Sequence, residues 1–572
     1  MTKRFLIIAS ALILIAAVVG GTIGRSRRFR RSVPSNGAVS YTEADDIEKD
    51  YNEAIAAISV EYAGDIDYEK ATQAAIQGML STLDPHSMYF PYNEFKKLKE
   101  DQDSRFYGIG VTIVQHRDGV YIQSAVEGTP AGKLGLRYGD RILEVDGQDA
   151  RDWTSEQVSK KVRGGKGEPV TIKVDRAGSE APINFTIKRD SVPLPSIRNA
   201  YMLRPGTGYI GLTGGFQSTS DEELREALDK LKSQGMRQVI LDMRGNPGGL
   251  LNQAIDVASE FLVRGQVVVK VKGRTEYSDE IVYKSSGSDP EDVPLVVLIN
   301  RGTASASEIV AGAIQDHGRG LIVGETSFGK GLVQHVFLLP FNTGLTLTTA
   351  RYYTPYGRSL QRDYSSGSLY DYYTRHDEDE TKPQGSASPA STAPRAVESP
   401  SAQASPTPHS NGPAVKTAAG RVFYGGGGIT PDIEVKPLTF SPVRNRIVEA
   451  AFQFTRQLAA GLVAGLESYK VQKVQYGKNA KATDYPTNDR VIEAFRSFVR
   501  TDTESQLTAA QLDEEIEFVK LRLREEIVTA AFSNDAGARV LLDSDPQVLR
   551  ALEEIPKAKR LAESVRGEPT RS

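Results

Sequence analysis

Two residues pose the chemical question: Ser305, at the opening of an apolar helical run, and Lys330, twenty-five positions on in a glycine-rich loop. A serine hydroxyl is a poor nucleophile until an adjacent base removes its proton. A lysine can be that base only when neutral, and a reference pKa of about 10.4 leaves on the order of one amine in a thousand neutral near pH 7. Lowering it by about three units costs about 4 kcal/mol, and burial in an apolar pocket supplies such shifts. Phe328, Leu332 and Val333 are candidate walls for that pocket, and Gln334 is a candidate to orient the amine. A serine at a helix start also gains from free N–H groups and the helix dipole, which favour developing negative charge.

Plainer readings fit the same residues. Ser305-Ala-Ser-Glu308 ahead of an apolar run is a capping box, a device for starting a helix. A lysine between glycines is most often a solvated loop residue. Gly324-Glu-Thr-Ser-Phe-Gly329-Lys330 after a strand is most of a phosphate-binding loop. That reading has two faults. Gly331 stands where a Ser or Thr should bind magnesium, and the β-branched continuation VQHVFLLP stands where a helix should begin. Spacing alone does not choose among catalyst, cap and loop.

The elements that must position these residues are clearer. Leu295–Ile299 is an unbroken apolar run, as a strand buried on both faces should be. A helix follows with Ile309, Val310, Ala313 and Ile314 on one face, then a second apolar strand at Leu321–Val323. Upstream, a strand at Tyr209–Leu212 precedes a helix at Asp221–Ser233 capped by Ser220. Strand Val239–Asp242 then runs into the turn Arg244-Gly-Asn-Pro-Gly-Gly249. Alternation of this kind over residues 191–362 predicts an α/β core.

The runs NRGTASASEIVAGAIQD and GETSFGKGLVQ resemble the signature of the C-terminal processing peptidases, also called tail-specific proteases. The resemblance extends over about 45–362 and 420–436, including ARYYTPYGRSLQ at 350–361 and GGGGITPDIEV at 425–435. It implies a serine endopeptidase with Ser305 as nucleophile, Lys330 as general base and Gln334 as third member. Thr303 stands where that family usually has its first serine. Glu308 and Asp316 match acidic positions and are expected to be structural or to support the site. The amide of Ala306 and a glycine amide, for which Gly248 is the candidate, are expected to form an oxyanion hole.

The rest of the chain sets limits. At 572 residues it is too long for a single core. A net charge of −3 makes no electrostatic case for nucleic acid. With no cysteine, a thiol nucleophile, disulfides and thiolate metal sites are excluded. Six histidines without an H-E-x-x-H argue against a zinc peptidase, so neither metal nor cofactor is expected. His86, in GMLSTLDPHSMYF, follows the turn signal Asp84-Pro85 and is assigned a capping or packing role rather than a catalytic one.

Residues 1–24 hold an apolar run, Phe5–Gly24, long enough to span a bilayer and without a clear cleavage site, so an uncleaved anchor is expected. The arginines of the 25–40 linker favour a cytoplasmic bulk by the positive-inside rule. The resemblance implies the opposite, a soluble part on the periplasmic side of the inner membrane, and is given precedence. Residues 41–104 are expected to be helical, with Ile47, Tyr51, Ile55 and Ile58 at helical spacing. Residues 105–190 resemble a PDZ domain: Asp118-Gly119 and Asp146-Gly147 signal hairpins, and TPAGKLGLRYGDRILEVDG is similar to that domain's sequence. Tyr107, Gly108, Ile109, Gly110 and Val111 are the expected carboxylate-binding loop, beside an edge strand that pairs with the incoming peptide. The tract 363–420, rich in Ser, Pro and Ala, is expected to be a disordered insertion. Residues 421–437 should return to the core, and 438–572 read as a charged helical region.

The expected molecule is a multidomain protein: membrane helix, helical segment, PDZ domain, α/β protease core and helical C-terminal region. Its expected partners are unfolded or tagged polypeptide C-termini, and its oligomeric state is open. The alternative is a PDZ adaptor or chaperone whose protease fold is inactive.

Overall fold

The computed structural model describes residues 41–274, 280–364, 412–417, 420–478, 480–481 and 483–566. The expected membrane span, the 25–40 linker and most of the 363–420 tract lie outside the described residues. Among those residues no helix is long and apolar enough to cross a membrane. The chain divides within the helix Tyr68–Ser81 into two compact units, one ending at Ile76 and one beginning at Gln77. In the first unit the helix Tyr41–Glu61 carries Ile47, Tyr51, Ile55 and Ile58, and all four are exposed.

The second unit is built on a six-stranded sheet in the order Ile197–Arg204, Thr207–Leu212, Gln238–Asp242, Leu295–Ile299, Leu321–Gly324, Ile433–Glu434. All its pairings are parallel except the first. Parallel strands need helical crossovers, so both faces are covered and the strands are apolar throughout. Ile210, Leu241, Val297 and Ile322 pack with the helices Ser220–Ser233, Leu251–Ser259 and Ala306–Asp316. The alternate residues Tyr209, Ile240, Val296, Leu298 and Val323 face Val548, Ala551, Ile555 and Ala558 of the helix Pro546–Arg566. The last helix thus closes one side of the six-stranded sheet, while helices before it form their own core around Phe454, Phe495 and Leu523. Among the described residues, the helices of 438–566 therefore serve more than one core.

A second sheet carries Gly344–Tyr353 between Met88–Phe90 and Val267–Gly273, with Leu332–Leu338 also paired to Gly344–Tyr353. The strand Met88–Phe90 corrects the all-helical expectation for 41–104. Its backbone groups are satisfied by Gly344–Thr346 rather than within a helix.

Between Arg105 and Pro193 lies a separate sheet, Val111–His116, Gly119–Ala125, Arg141–Val145, Pro169–Asp175, Ile183–Lys188, around a core of Val120, Ile122, Ile142 and Ile172. Its first two strands meet at His116 and Gly119, and Val145 pairs with Gln148 across Asp146-Gly147. Both Asp146 and Gly147 have positive φ, 50° and 75°, as such a two-residue turn requires.

Candidate active site

The strand Leu295–Ile299 ends in the turn Asn300–Ala304, and that turn is tied down from two sides. The Thr303 hydroxyl donates to the Met243 carbonyl (2.9 Å), and the Ala304 amide donates to the Asn246 carbonyl (2.9 Å). Thr303 therefore performs a structural task with a hydroxyl that serine could equally supply. From the other side the Phe328 amide donates to the Thr303 carbonyl (2.9 Å). Ser305 follows with φ 55° and ψ −116°, a conformation rarely adopted by residues with a Cβ. Such backbone is on the order of 1–3 kcal/mol uphill and persists only where its surroundings over-determine it.

Glu308 supplies that determination. It is fully buried, and its Oε2 accepts from the Ser305 amide (2.8 Å) and the Lys330 amide (2.8 Å). Its Oε1 accepts from the Ser327 hydroxyl (2.5 Å) and the Gly329 amide (2.7 Å). One carboxylate oxygen thus joins the serine's main chain to the lysine's, and the two amides lie within two hydrogen bonds of each other. Burial pushes the Glu308 carboxyl up, and the four donors oppose that rise. The Glu308 amide meanwhile donates to the Ser305 carbonyl (2.8 Å). The capping expectation is met in part: the glutamate reaches back to the Ser305 amide as a capping box requires, and it also binds the lysine loop. The helix Ala306–Asp316 is buried on every side, not on the single face its pattern suggested, because sheet, neighbouring helix and lysine loop surround it.

The phosphate-binding alternative fails here. The Gly329 and Lys330 amides that would cradle a phosphate point at a carboxylate, and Leu332–Leu338 is a strand where a helix should start. A Cβ at Gly331 would meet the Gln361 nitrogen at 2.6 Å, so the segment 359–362 presses on the residue after Lys330 and admits only glycine. Burial lowers the Lys330 amine below the usual lysine range, against the opposing charges of Glu308 and Asp84. Among the candidate pocket walls Leu332 is buried and Val333 is half-buried, while Phe328 is covered by the Arg362 guanidinium at 4.1 Å from its ring centre. No hydrogen bond joins the Ser305 hydroxyl to the Lys330 amine among the described residues.

The other expected residues are distributed unevenly. Ala306 is the first residue of the helix, where an amide has no intrahelical acceptor. Gly248 packs on the serine: a Cβ there would meet Ser305 Cβ at 2.8 Å and the Ala306 nitrogen at 2.9 Å. Its own amide, however, donates to Asn246 Oδ1 (2.9 Å), so the expected second oxyanion donor is committed. Gln334 sits past a bulge in its strand, and its Nε2 donates to Thr348 Oγ1 (3.2 Å). Asp316 belongs elsewhere: at the far end of the helix it pairs with buried Arg358 (2.5 Å) and accepts from the Tyr356 amide (3.1 Å). That ion pair anchors the 354–358 turn.

One group the sequence did not place at the site is the turn Asp84–Ser87. Asp84 Oδ1 accepts from the His86 and Ser87 amides (2.8 and 2.9 Å), and Ser87 Oγ donates to Asp84 Oδ2 (2.7 Å). Burial lowers the His86 imidazole to about 4, with the Lys330 charge as the next cause. The turn was legible as Asp-Pro; its neighbour was not.

In the 105–190 region, the strand Val111–His116 is the edge of its sheet and pairs only with Gly119–Ala125 among the described residues. The Ile109 and Gly110 carbonyls accept from Ala131 and Val126 (2.9 Å each), and Gly110 has φ 82°. Tyr107 and Gly108 belong to a strand paired with Asp190–Pro193, leaving the Ile109 and Gly110 amides without acceptors among the described residues. Two neighbouring open amides beside an open edge are what capture of a peptide carboxylate with strand addition requires.

The pattern of peptidase family S41 matches residues 206–372, and that of the PDZ domain matches 98–175. A carboxy-terminal-processing protease of Bartonella bacilliformis is 36% identical over 53% of this chain and 70% of its own. The carboxy-terminal processing protease CtpB of Bacillus subtilis is 33% identical over 58% of this chain and 70% of its own. The solved photosystem II D1 C-terminal processing protease aligns at 30% identity over 55% of this chain and 83% of its own, with a TM-score of 0.33.

Proposed function

Since the chain belongs to peptidase family S41, the carboxy-terminal processing proteases, and is a serine peptidase with a PDZ domain, we propose that Ser305 is its nucleophile and Lys330 its general base. The neutral Lys330 amine takes the Ser305 proton as the oxygen attacks the scissile carbonyl, and the resulting ammonium returns it to the leaving amine. Water then repeats the cycle on the acyl-enzyme. The carbonyl oxygen, becoming an oxyanion, is received by the Ala306 amide at the positive end of its helix. Gly248 contributes only if Asn246 Oδ1 releases or shares its amide. Gln334 orients the amine. The observation that carries the reading is the shared Glu308 oxygen, which fixes both main chains, beside an amine already pushed toward neutrality by burial. Catalytic hydrogen bonds are often long without substrate, so closure of the amine on the hydroxyl belongs to the substrate-bound state.

In this proposal the PDZ edge strand Val111–His116 takes the substrate's C-terminal residues, and the Ile109 and Gly110 amides take its carboxylate. The catalytic part stands outside the inner membrane, held by the 5–24 span. The test is cleavage of an unstructured reporter polypeptide by the full chain. Ser305→Ala and Lys330→Ala should each lose at least about a thousandfold in kcat/KM, as triad-type deletions do. Retained activity in either variant sinks the pair, and an inactive wild type that still binds C-terminal peptides favours the adaptor alternative.

A further inference from the structure

The active-site lysine is approached from a direction the protease core does not supply. Chain position 84–87 lies about 250 residues upstream of Lys330, ahead of the PDZ domain, yet its turn is bonded into the lysine's own sheet. The strand Met88–Phe90 pairs with Gly344–Thr346, which places Ser87 beside Thr348. The Thr348 amide donates to Ser87 Oγ (3.1 Å), and the Ser87 hydroxyl donates to Asp84 Oδ2 (2.7 Å). On the other side of Thr348, its Oγ1 accepts from Gln334 Nε2 (3.2 Å). Asp84 and Ser87 are both buried.

Direction matters in this chain. A carboxamide has one donor end and one acceptor end, and an amine held near it needs the acceptor. Thr348 fixes the Gln334 nitrogen, which leaves the oxygen as the free end. The Thr348 backbone is itself fixed by Ser87, and Ser87 by Asp84, a carboxylate with three donors.

We propose that the Asp84–Ser87 turn is a positioning element of the active site, setting the Gln334 amide through Ser87 and Thr348 and holding the Asp84 carboxylate's charge against the Lys330 amine. The proposal rests on Lys330 as base. The charged and titratable groups acting on that amine are Glu308 from the helix and Asp84 from the turn, with His86 of the same turn feeling the Lys330 charge and that of Arg362. Glu308 and Asp84 both raise the amine's pKa against burial. His86, lowered to about 4, is neutral at working pH and adds no charge there. The sign is therefore fixed. Activity rises with pH as Lys330 loses its proton, and removing the Asp84 charge must move that rise to lower pH.

The experiment is the pH profile of kcat/KM on an unstructured reporter, using the full chain and normalising to serine titrated by a fluorophosphonate. Asp84→Asn keeps the side chain's size and an acceptor for the two amides. Its acidic limb should move down by about one pH unit, the smaller end of the effect of a nearby opposite charge. Ser87→Ala keeps the charge but cuts the chain to Thr348. It should lose about tenfold in kcat/KM, the value of one well-placed hydrogen bond, with the limb unmoved, and Ser87→Thr should restore it. A limb that stays in place in Asp84→Asn, while the wild type shows one and Lys330→Ala is inactive, overturns the proposal and leaves the base intact. A wild type with no acidic limb removes the base, and the proposal with it. Should Asp84→Asn fail to fold, Ser87→Ala decides: unchanged kcat/KM overturns the positioning role.

Discussion

The junction of Ser305 with Lys330 and the junction of the PDZ domain with the helical region are held in opposite ways. At the first, main-chain amides converge on one carboxylate with no exposure to solvent. At the second, side chains do the holding. Phe452 stacks on His116 (3.6 Å between ring centres) and meets Tyr121 edge-on at 5.1 Å. Around it, Glu449 Oε2 bonds His116 Nδ1 (2.7 Å), Tyr138 donates to Glu526 (2.8 Å), Arg456 pairs with Asp175, and Arg117 pairs with Asp502 (3.0 Å). Backbone bonded to a buried charge has no alternative rotamer and no solvent to exchange with. Side chains around a buried aromatic centre have alternative rotamers, and the ion pairs at the seam's rim can also exchange with solvent. The geometry at Ser305 and Lys330 is therefore held rigidly, while the PDZ seating is held by side-chain contacts that can be rearranged.

The sharpest way to break this contrast is Glu308→Gln. The volume stays, but one oxygen that accepts two donors becomes an NH2 group facing them. Two buried donors left unsatisfied cost about 2–6 kcal/mol. The expected outcome is a loss of at least about a hundredfold in kcat/KM with a clearly lowered Tm, read by reporter cleavage and calorimetry. Wild-type activity in this variant would show that the serine and lysine are held by something other than the shared carboxylate.

Phe452→Ala tests the other junction. Phe452 is fully buried, and truncating a buried phenylalanine costs about 3–5 kcal/mol. Here the loss should fall on the seam. Hydrogen exchange should quicken along 116–121 and 449–456, while kcat on a short peptide without a PDZ-binding end stays within about twofold of wild type. A collapse of peptide cleavage equal to that of Glu308→Gln would mean that the two junctions are one cooperative structure.

How far the sequence carried depends on whether a residue's task is local. Leu295–Ile299 reads as a doubly covered strand because both its faces meet apolar helices, and the pattern needs no partner to be seen. The Asp146-Gly147 turn is legible for the same reason, since positive φ is written in the residues themselves. Ser305 and Lys330 stand out by residue type and setting, but only the resemblance chooses catalyst over cap and loop. Glu308 reads as a cap and a supporting acid, but its hold on Lys330 requires a loop twenty-two positions away to fold back, which no local pattern encodes. Met88–Phe90 is too short to show a period of two. Asp84 announces a turn, and only pairing with Gly344–Thr346 brings that turn to the lysine. The helix Pro546–Arg566 shows a helical pattern but nothing that says it covers the catalytic sheet.

The smallest expected effect sharpens the contrast most cleanly, because it depends on solvent alone. Arg117 is 29% exposed and pairs with Asp502 and with Glu504, which is 71% exposed, both at 3.0 Å. Asp502 is 10% exposed, but with Arg117 and Glu504 open to solvent the cluster falls in the class worth about 0.2–1 kcal/mol and screened by salt, whose Debye length falls from about 8 Å at 0.15 M to about 3 Å at 1 M. Arg117→Ala should therefore lower stability by less than about 1 kcal/mol at low salt, and the difference from wild type should vanish near 1 M NaCl. The defect of Glu308→Gln should not move with salt, since no ion reaches a carboxylate with no exposed surface. A double-mutant cycle of Arg117→Ala with Asp502→Ala measures the coupling directly. A coupling above about 2 kcal/mol that survives 1 M salt would place this pair in the class of buried, hydrogen-bonded charges. The PDZ seating would then be as fixed as the serine.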